Sequence, residues 1–235
     1  MWKAKVFTLY PEIFPGPLGV GLYKKALDKK IWALEVVNIR NFAKDKHKTV
    51  DDAPFGGGSG MVLRADVLAD ALDQNVLDNN EYKICLSPKG KKFDFNFSKK
   101  FLEKNINIIC GHFEGIDQRI LETRNIEEIS LGDFVLSGGE IAAMAMINSV
   151  VRLIPGVIGN ESSLDEETFE KNLLEYPQYT KPQKWEEKNV PAVLISGDHK
   201  KIKDWRLMQA EDITRRRRPD LWKKYKEKKW KTLKT

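Results

Sequence analysis

INIICGHFEGIDQR, residues 106–119, joins a run of five mostly apolar residues to a turn that contains two glycines. A short apolar run bounded by turn residues predicts a buried strand over 106–110, with a turn at its carboxyl end. The combination recurs where 82–86 leads into SPKG and where 126–130 leads into LGDFVLSGGE. Because the carboxyl ends of parallel strands meet at one edge of a sheet, the three turns are predicted to form a pocket there.

The rest of the first 150 residues continues the alternation of strand and helix. Further strands are predicted over 4–9 and 32–39. Helices are predicted near 18–29, 65–77, 97–104 and 139–151. This order favours an α/β fold with a parallel sheet that is covered on both faces.

The pattern changes after Arg152, where Pro155 and Gly156 end the last of these helices. We predict a first domain over 1–159, a polar linker over 160–168 and a small helical domain over 169–235. A short helix near 169–174 is predicted to open the second domain, followed by a Tyr- and Pro-rich loop over 176–182 and helices from Lys200 onward.

Composition excludes several classes of protein. No apolar stretch approaches the roughly 20 residues that cross a bilayer, and the N-terminus has no signal-peptide pattern, so we expect a cytoplasmic protein without a membrane partner. Cys85 and Cys110 lie in strand patterns without CxxC spacing and are predicted to be buried free thiols. The three histidines are far apart in sequence, and no metal ligands are predicted.

Positive charge is concentrated at the C-terminal end. Residues 214–235 carry eleven Lys or Arg against two acids, so they hold a charge of +9 in a chain whose net charge is +6. A solvated helix is one interpretation of such a run. Trp222, Tyr225 and Trp230 alternate with the lysines, which favours nucleic acid because aromatic faces stack on bases while ammonium groups meet phosphates.

A second glycine-rich segment, DDAPFGGGSGM over 51–61, lacks the Gly-Lys-Ser/Thr of a nucleotide-triphosphatase loop. By itself it is typical of a flexible surface loop. Arg152 and the acids of the linker likewise have ordinary structural interpretations, as a helix-terminal cation and as helix-capping carboxylates. The predicted pocket, walled by backbone and small residues, suits a ligand such as an adenine ring.

Seven segments in order resemble the bacterial tRNA (guanine-N1)-methyltransferases of the SPOUT superfamily, and the resemblance runs from Met1 to about Leu221. They are TVDDAPFGGGSGM (49–61), LSPKG (86–90), CGHFEGIDQR (110–119), SLGDFVLSGGE (130–140), VVRLIPGV (150–157), LLEYPQYTKP (173–182) and LISGDHKKIKDWR (194–206).

This resemblance implies a deep trefoil knot in the N-terminal domain, which general topology rules disfavour. It also implies a homodimer whose active sites are shared between subunits, and S-adenosylmethionine as the methyl donor. The implied cofactor-binding residues belong to the three turns. They are Leu86, Ser87, Pro88, Gly111, Phe113, Glu114, Gly115, Asp117, Leu131, Gly132, Asp133, Phe134, Val135, Leu136, Gly138 and Gly139.

The implied reaction is methylation of N1 of the guanosine immediately 3′ to the anticodon, position 37, in tRNA. Arg152 is expected to face guanine O6, and a linker carboxylate is expected to remove the N1 proton. The family usually has Asp where this chain has Glu167, so Glu167 is the expected base and Asp165 its rival. The resemblance also implies help from Mg²⁺. The expected tRNA contacts are His47, Asp51, Gly57, Gly58, Ser59, Arg215 and Arg216.

The chain departs from the family pattern elsewhere, with His112 where Arg is common, Phe113 for Tyr and Ala142 for Pro. Two alternatives to the implied function are a SPOUT ribose 2′-O-methyltransferase and a non-catalytic RNA-binding protein. Retention of Arg152 and of both linker acids disfavours the non-catalytic protein. The C-terminal segments disfavour the ribose methyltransferase.

Overall fold

A computed structural model describes residues 1–76, 80–159 and 168–232 of the 235-residue chain. The chain divides into two compact units, Met1–Gly159 and Asn160–Thr235. The first unit holds a five-stranded sheet in which every neighbouring pair is parallel. The strands lie in the order Trp32–Asn38, Trp2–Thr8, Ile106–Cys110, Tyr82–Lys92 and Glu127–Ser130. The predicted α/β class with a parallel sheet is therefore confirmed.

The strands and helices of the first unit have the following bounds. The sheet contains β1 (Trp2–Thr8), β2 (Trp32–Asn38), β5 (Tyr82–Lys92), β6 (Ile106–Cys110) and β7 (Glu127–Ser130), and a separate hairpin pairs β3 (Asp51–Asp52) with β4 (Val62–Leu63). The helices are α1 (Gly21–Asp28), α2 (Ala65–Asn75), α3 (Phe95–Lys100), α4 (Gln118–Thr123) and α5 (Glu140–Val151), with 3-10 turns at Pro11–Ile13, Gly16–Gly19 and Ile39–Phe42.

β6 lies at the centre of the sheet, and all five of its residues are buried. Successive side chains of a strand point to opposite faces. Ile106 and Ile108 accordingly join one apolar core with residues of α1 and α5, whereas Ile109 joins the other with residues of α2 and α4. The sheet is thus covered on both faces, as the apolar run predicts.

β5 continues beyond the predicted strand 82–86, but not regularly. Leu86 and Lys91 both pair with Ile129, so residues 87–90 leave the ladder and the strand then resumes to Lys92. A Cβ atom on Gly90 would lie 2.3 Å from the backbone nitrogen of Ile129. Glycine is required where two backbones approach so closely.

Two predicted helices differ from the structure. The helix expected over 97–104 begins earlier, at Phe95, because the Asp94 carboxylate accepts hydrogen bonds from the backbone N–H groups of Asn96 and Phe97 at 2.9 and 3.1 Å. The short helix expected near 169–174 is wrong. Phe169 and Asn172 have φ of 80° and 58°, which places them in the left-handed region and produces turns instead.

The second unit contains a two-stranded hairpin, β8 (Lys184–Trp185) and β9 (Lys188–Asn189), a 3-10 turn at Ala192–Ile195, and two longer helices. These are α6 (His199–Arg217) and α7 (Pro219–Thr232), which agree with the helical pattern predicted from Lys200 onward. The Asp198 carboxylate accepts a hydrogen bond from the Lys201 N–H at 3.0 Å and so caps α6.

Cys85 and Cys110 are buried free thiols, as predicted. Burial raises the pKa of Cys85 to about 12 and holds that of Cys110 well above its ordinary value, so both stay protonated at neutral pH. Among the helices of residues 1–76, 80–159 and 168–232, none is both long and apolar enough to span a membrane.

Candidate active site

A cavity of about 330 Å³ lies at the carboxyl ends of β6 and β7, beside the point where residues 87–90 of β5 leave the ladder. This volume is within the range of small-molecule sites. The three glycine-containing turns form its wall, and fourteen of the sixteen residues predicted to bind cofactor line it. They are Leu86, Ser87, Pro88, Gly111, Phe113, Glu114, Gly115, Leu131, Gly132, Phe134, Val135, Leu136, Gly138 and Gly139.

The other two, Asp117 and Asp133, do not line the cavity. Asp117 caps α4, since its carboxylate accepts a hydrogen bond from the Arg119 N–H at 2.9 Å and two more from the Arg119 guanidinium at 3.0 and 2.7 Å. These bonds lower the pKa of Asp117. Asp133 is exposed at the outside of its turn.

Sequence reasoning missed several residues of the cavity wall. Ile116, Gln118 and Leu121 line it because the unpredicted helix α4 follows the turn after β6 directly. The apolar pair Ile120 and Leu121, both buried, was the available signal for this helix. The other lining residues that were missed are Cys85, Lys89, His112, Glu128, Ile129, Ser130, Ser137 and Ala142.

Two backbone segments meet very closely at the floor of the cavity. The Gly139 N–H donates to the Gly111 carbonyl oxygen at 3.0 Å. A Cβ atom on Gly139 would lie 2.7 Å from the Cα atom of Cys110 and 3.1 Å from the nitrogen of Gly111. The glycine at 139 therefore lets the first turn of α5 pack against the end of β6.

The glycine-rich loop 53–61 is anchored beside the cavity. The Glu114 N–H donates to the Met61 carbonyl, and the Leu63 N–H donates to the Gly115 carbonyl, each at 2.9 Å. Gly56, Gly57, Gly58 and Gly60 have φ of 88°, 81°, 126° and 90°, a region that favours glycine. Gly57, Gly58 and Ser59 are exposed, and Asp51 begins the hairpin at the base of the loop.

His47 lies on the exposed turn that precedes this hairpin, and its backbone N–H donates to an Asp45 carboxylate oxygen at 3.0 Å. Arg152 follows α5 directly, is half-buried, and donates its backbone N–H to the Asn148 carbonyl oxygen. Glu167 and Asp165, the two candidate bases, lie outside the described residues. Within residues 1–76, 80–159 and 168–232, no three His, Cys, Asp or Glu side chains form a potential metal-binding group.

Two acidic residues of α6, Glu211 and Asp212, neutralise part of the positive charge of the C-terminal segment. Arg215 and Arg216 both form ion pairs with Asp212, although their side chains remain 64% and 62% exposed. Glu211 accepts hydrogen bonds from the Tyr225 hydroxyl at 2.6 Å and from Lys229 at 3.0 Å. The Trp222 ring stacks on Tyr225 at 5.5 Å, so these aromatic residues also serve the packing of the unit itself.

Comparison with known proteins identifies the family. The sequence profile described as tRNA (Guanine-1)-methyltransferase TrmD matches residues 2–224. The chain belongs to this family. The resemblance seen in the seven sequence segments is thereby confirmed, and the match to the TrmD family extends over both compact units.

Individual relatives that carry the name tRNA (guanine-N(1)-)-methyltransferase agree with this assignment. The protein of Pelagibacter ubique is 66% identical over 227 residues, which cover 96% of this chain and 99% of the relative. The protein of Bartonella tribocorum is 51% identical over 232 residues, which cover 98% of this chain and 99% of the relative. The protein of a Ruegeria species is 52% identical over 235 residues, which cover 99% of this chain and 96% of the relative. Membership of the TrmD family implies S-adenosylmethionine as the methyl donor.

Proposed function

We propose that this protein transfers the methyl group of S-adenosylmethionine to N1 of the guanosine immediately 3′ to the anticodon, position 37, of tRNA. The observation that carries the proposal is the cavity at the ends of β6 and β7 and the irregular part of β5, in a chain whose match to the tRNA (guanine-1)-methyltransferase family covers residues 2–224. The cavity gives the family's reaction a site for its methyl donor.

The residues present fit S-adenosylmethionine. Leu86, Ile116 and Leu131 provide apolar surface for an adenine ring, while Ser87 and Glu114 provide polar groups for the ribose and the amino-acid portion. Gly138 and Gly139 contribute backbone without side chains to the cavity wall. When bound, S-adenosylmethionine supplies an electrophilic methyl group on sulfur.

The chain's own chemistry then acts on guanine. N1 of guanine carries a proton and has no free lone pair, so it becomes a nucleophile only as that proton leaves. We assign the proton's acceptance to the carboxylate of Glu167, with Asp165 as the alternative; a base of this kind contributes about 10²- to 10⁴-fold in rate. Negative charge then collects on O6, which the Arg152 guanidinium stabilises.

The glycine-rich loop is proposed to hold the target nucleotide. The C-terminal end of the loop is hydrogen-bonded to the Glu114–Gly115 segment of the cavity wall. This tethers Gly57, Gly58 and Ser59 next to the proposed cofactor site. This arrangement favours alignment of N1 with the methyl group, and correct alignment is a large part of catalysis in such transfers. Asp51 at the base of the loop and His47 before it are proposed to contact the same stretch of tRNA.

We propose a homodimer with shared active sites. We also propose the deep trefoil knot of the SPOUT superfamily in the N-terminal domain, on the basis of the family resemblance. The dimer has support from large apolar side chains that the single chain leaves exposed. Val20 is 62% exposed, Leu22 49% and Ile141 63%, and exposed apolar residues on neighbouring elements are typical of interaction sites. Light scattering of the purified protein should give twice the mass of the chain.

The second unit is proposed to be a tRNA-binding domain over 169–235, joined by a linker over 160–168 that supplies the base. Arg215, Arg216 and the lysines of α7 are its proposed phosphate contacts. The tRNA substrate makes the cytoplasm the proposed location. Mg²⁺ is proposed as an activator of the reaction. Because the described residues hold no potential metal-binding group, we assign it no protein ligand.

The proposal is tested by incubating the purified protein with S-adenosylmethionine and a tRNA transcript that carries guanosine 3′ to the anticodon. Nucleoside analysis should find N1-methylguanosine, and Arg152→Ala should abolish its formation. A 2′-O-methylated nucleoside would instead support the ribose methyltransferase, and no modified nucleoside would support a non-catalytic RNA-binding protein.

A further inference from the structure

A buried polar cluster at the wall of the cavity has no part in the mechanism above. It consists of Thr8 at the end of β1, His112 in the turn after β6 and Glu140 at the start of α5. The Glu140 residue is only 3% exposed and the His112 side chain 12%. Buried charged groups are costly unless they are hydrogen-bonded, so the arrangement of this cluster calls for an explanation.

The three side chains satisfy one another. Nε2 of His112 lies 2.8 Å from both carboxylate oxygens of Glu140, and the Thr8 hydroxyl donates to one of them at 2.6 Å. Because an ionised carboxylate only accepts hydrogen bonds, Nε2 of His112 is the donor. The Tyr10 ring and the imidazole pack in a T-shaped arrangement, with 4.9 Å between their centroids.

This bond connects two separate walls of the cavity. His112 belongs to the turn 111–115, and Glu140 directly follows the turn 137–139; residues of both turns line the cavity. His112 also forms an isolated antiparallel bridge with Gly138. A Cβ atom on Gly138 would lie 2.2 Å from Cε1 of the imidazole. The ring therefore fills the space between the two turns, and its hydrogen bond adds a side-chain link to the backbone bond between Gly139 and Gly111.

We infer that His112 is a positioning residue for the methyl donor. By donating from Nε2 to Glu140 it holds the two turns at the spacing that S-adenosylmethionine requires. The inference rests on the proposed function, because it assigns the cavity to that cofactor. A residue that only stabilised the fold would lower the stability of the protein without a selective loss of cofactor affinity.

The decisive comparison is between His112→Gln and His112→Asn. Both amides are uncharged and polar, but only the longer Gln brings an N–H donor to the position of Nε2. Tyr23→Phe is the matched control. It removes a hydrogen bond of similar length, 2.9 Å, from the Tyr23 hydroxyl to Asn148 at the other end of α5, away from the cavity.

The dissociation constant of S-adenosylmethionine is measured by calorimetry on the full-length proteins, and steady-state kinetics are measured with tRNA. His112→Asn should raise the dissociation constant about tenfold or more, the effect of losing one hydrogen bond to a charged group. It should raise KM for the cofactor in parallel, with little change in kcat at saturating cofactor. His112→Gln should stay within about threefold of the wild type, and Tyr23→Phe within about twofold, even where thermal stability falls.

Equal cofactor affinities for His112→Asn and the wild type would overturn the inference. The inference would also be overturned if His112→Gln bound S-adenosylmethionine as weakly as His112→Asn does, or if His112→Asn lowered kcat and left KM for the cofactor unchanged. Failure of the wild-type protein to bind S-adenosylmethionine is a different result, since it would refute the proposed function itself.

Discussion

Replacing Gly139 by alanine should loosen the floor of the cavity. The new Cβ would lie 2.7 Å from the Cα atom of Cys110, well inside the 3.4 Å at which ordinary van der Waals contact begins. The obstructing atom is backbone of the central strand and cannot rotate away. Overpacking of this kind costs about 1–3 kcal/mol. The lower backbone entropy of the unfolded alanine variant offsets about 0.4–1 kcal/mol of it. The midpoints of the two ranges leave a net loss of about 1.3 kcal/mol, or a fall in Tm of about 3–5 °C for a protein of this size.

Thermal unfolding followed by circular dichroism at one fixed protein concentration measures this loss, because the stability of the proposed homodimer would depend on concentration. Gly111→Ala is the matched control. Gly111 forms a hydrogen bond with Gly139, yet a Cβ atom added at Gly111 would lie at an ordinary 3.7 Å from the Ile116 side chain. The Tm of the Gly111→Ala protein should therefore stay near that of the wild type. A Gly139→Ala protein as stable as the control would refute the close packing of α5 against β6.

Three further outcomes are expected. Glu167→Gln should lower the rate constant of methyl transfer by about 10²- to 10⁴-fold in single-turnover assays, and more than Asp165→Asn does. Full activity in Glu167→Gln would place the base elsewhere. Truncation after Pro219 should weaken tRNA binding and flatten its dependence on salt while leaving cofactor affinity unchanged, whereas unchanged tRNA affinity would favour a merely solvated helix. The Arg124 guanidinium lowers the pKa of Asp73, so their ion pair stabilises the first unit at neutral pH and is lost as the pH falls through that lowered value. Asp73→Asn should therefore cost up to about 1 kcal/mol at neutral pH and progressively less as the pH falls through the lowered pKa of Asp73, and a cost that does not change with pH would contradict the assignment.

The sequence was most informative where strand and turn signals coincide. The five-residue run of β6 and the glycines after it predicted both a buried strand and one wall of the cavity, because burial and backbone freedom are local requirements. The continuation of β5 to Lys92 was not predictable. It depends on pairing with Ile129, some 40 residues away, and on a glycine that only this partner strand requires.

Charge and side-chain pairing were less accessible to sequence reasoning. The basic C-terminal segment reads as a continuous cationic surface, but Asp212 and Glu211 on α6 neutralise part of it. His112 was noted only as a departure from the family pattern. Its bond to Glu140, 28 residues later, exists because the fold brings the turn after β6 to the start of α5.

The central claim is methylation of N1 at a single guanosine, and site-resolved analysis of the tRNA product tests it most directly. The purified protein is incubated with S-adenosylmethionine and two transcripts, one with guanosine immediately 3′ to the anticodon and one with adenosine there. Digestion and mass spectrometry should place N1-methylguanosine at that position of the first transcript, with no methyl transfer to the second. Methylation elsewhere in the first transcript, on a ribose hydroxyl, or equally in both transcripts would contradict the account.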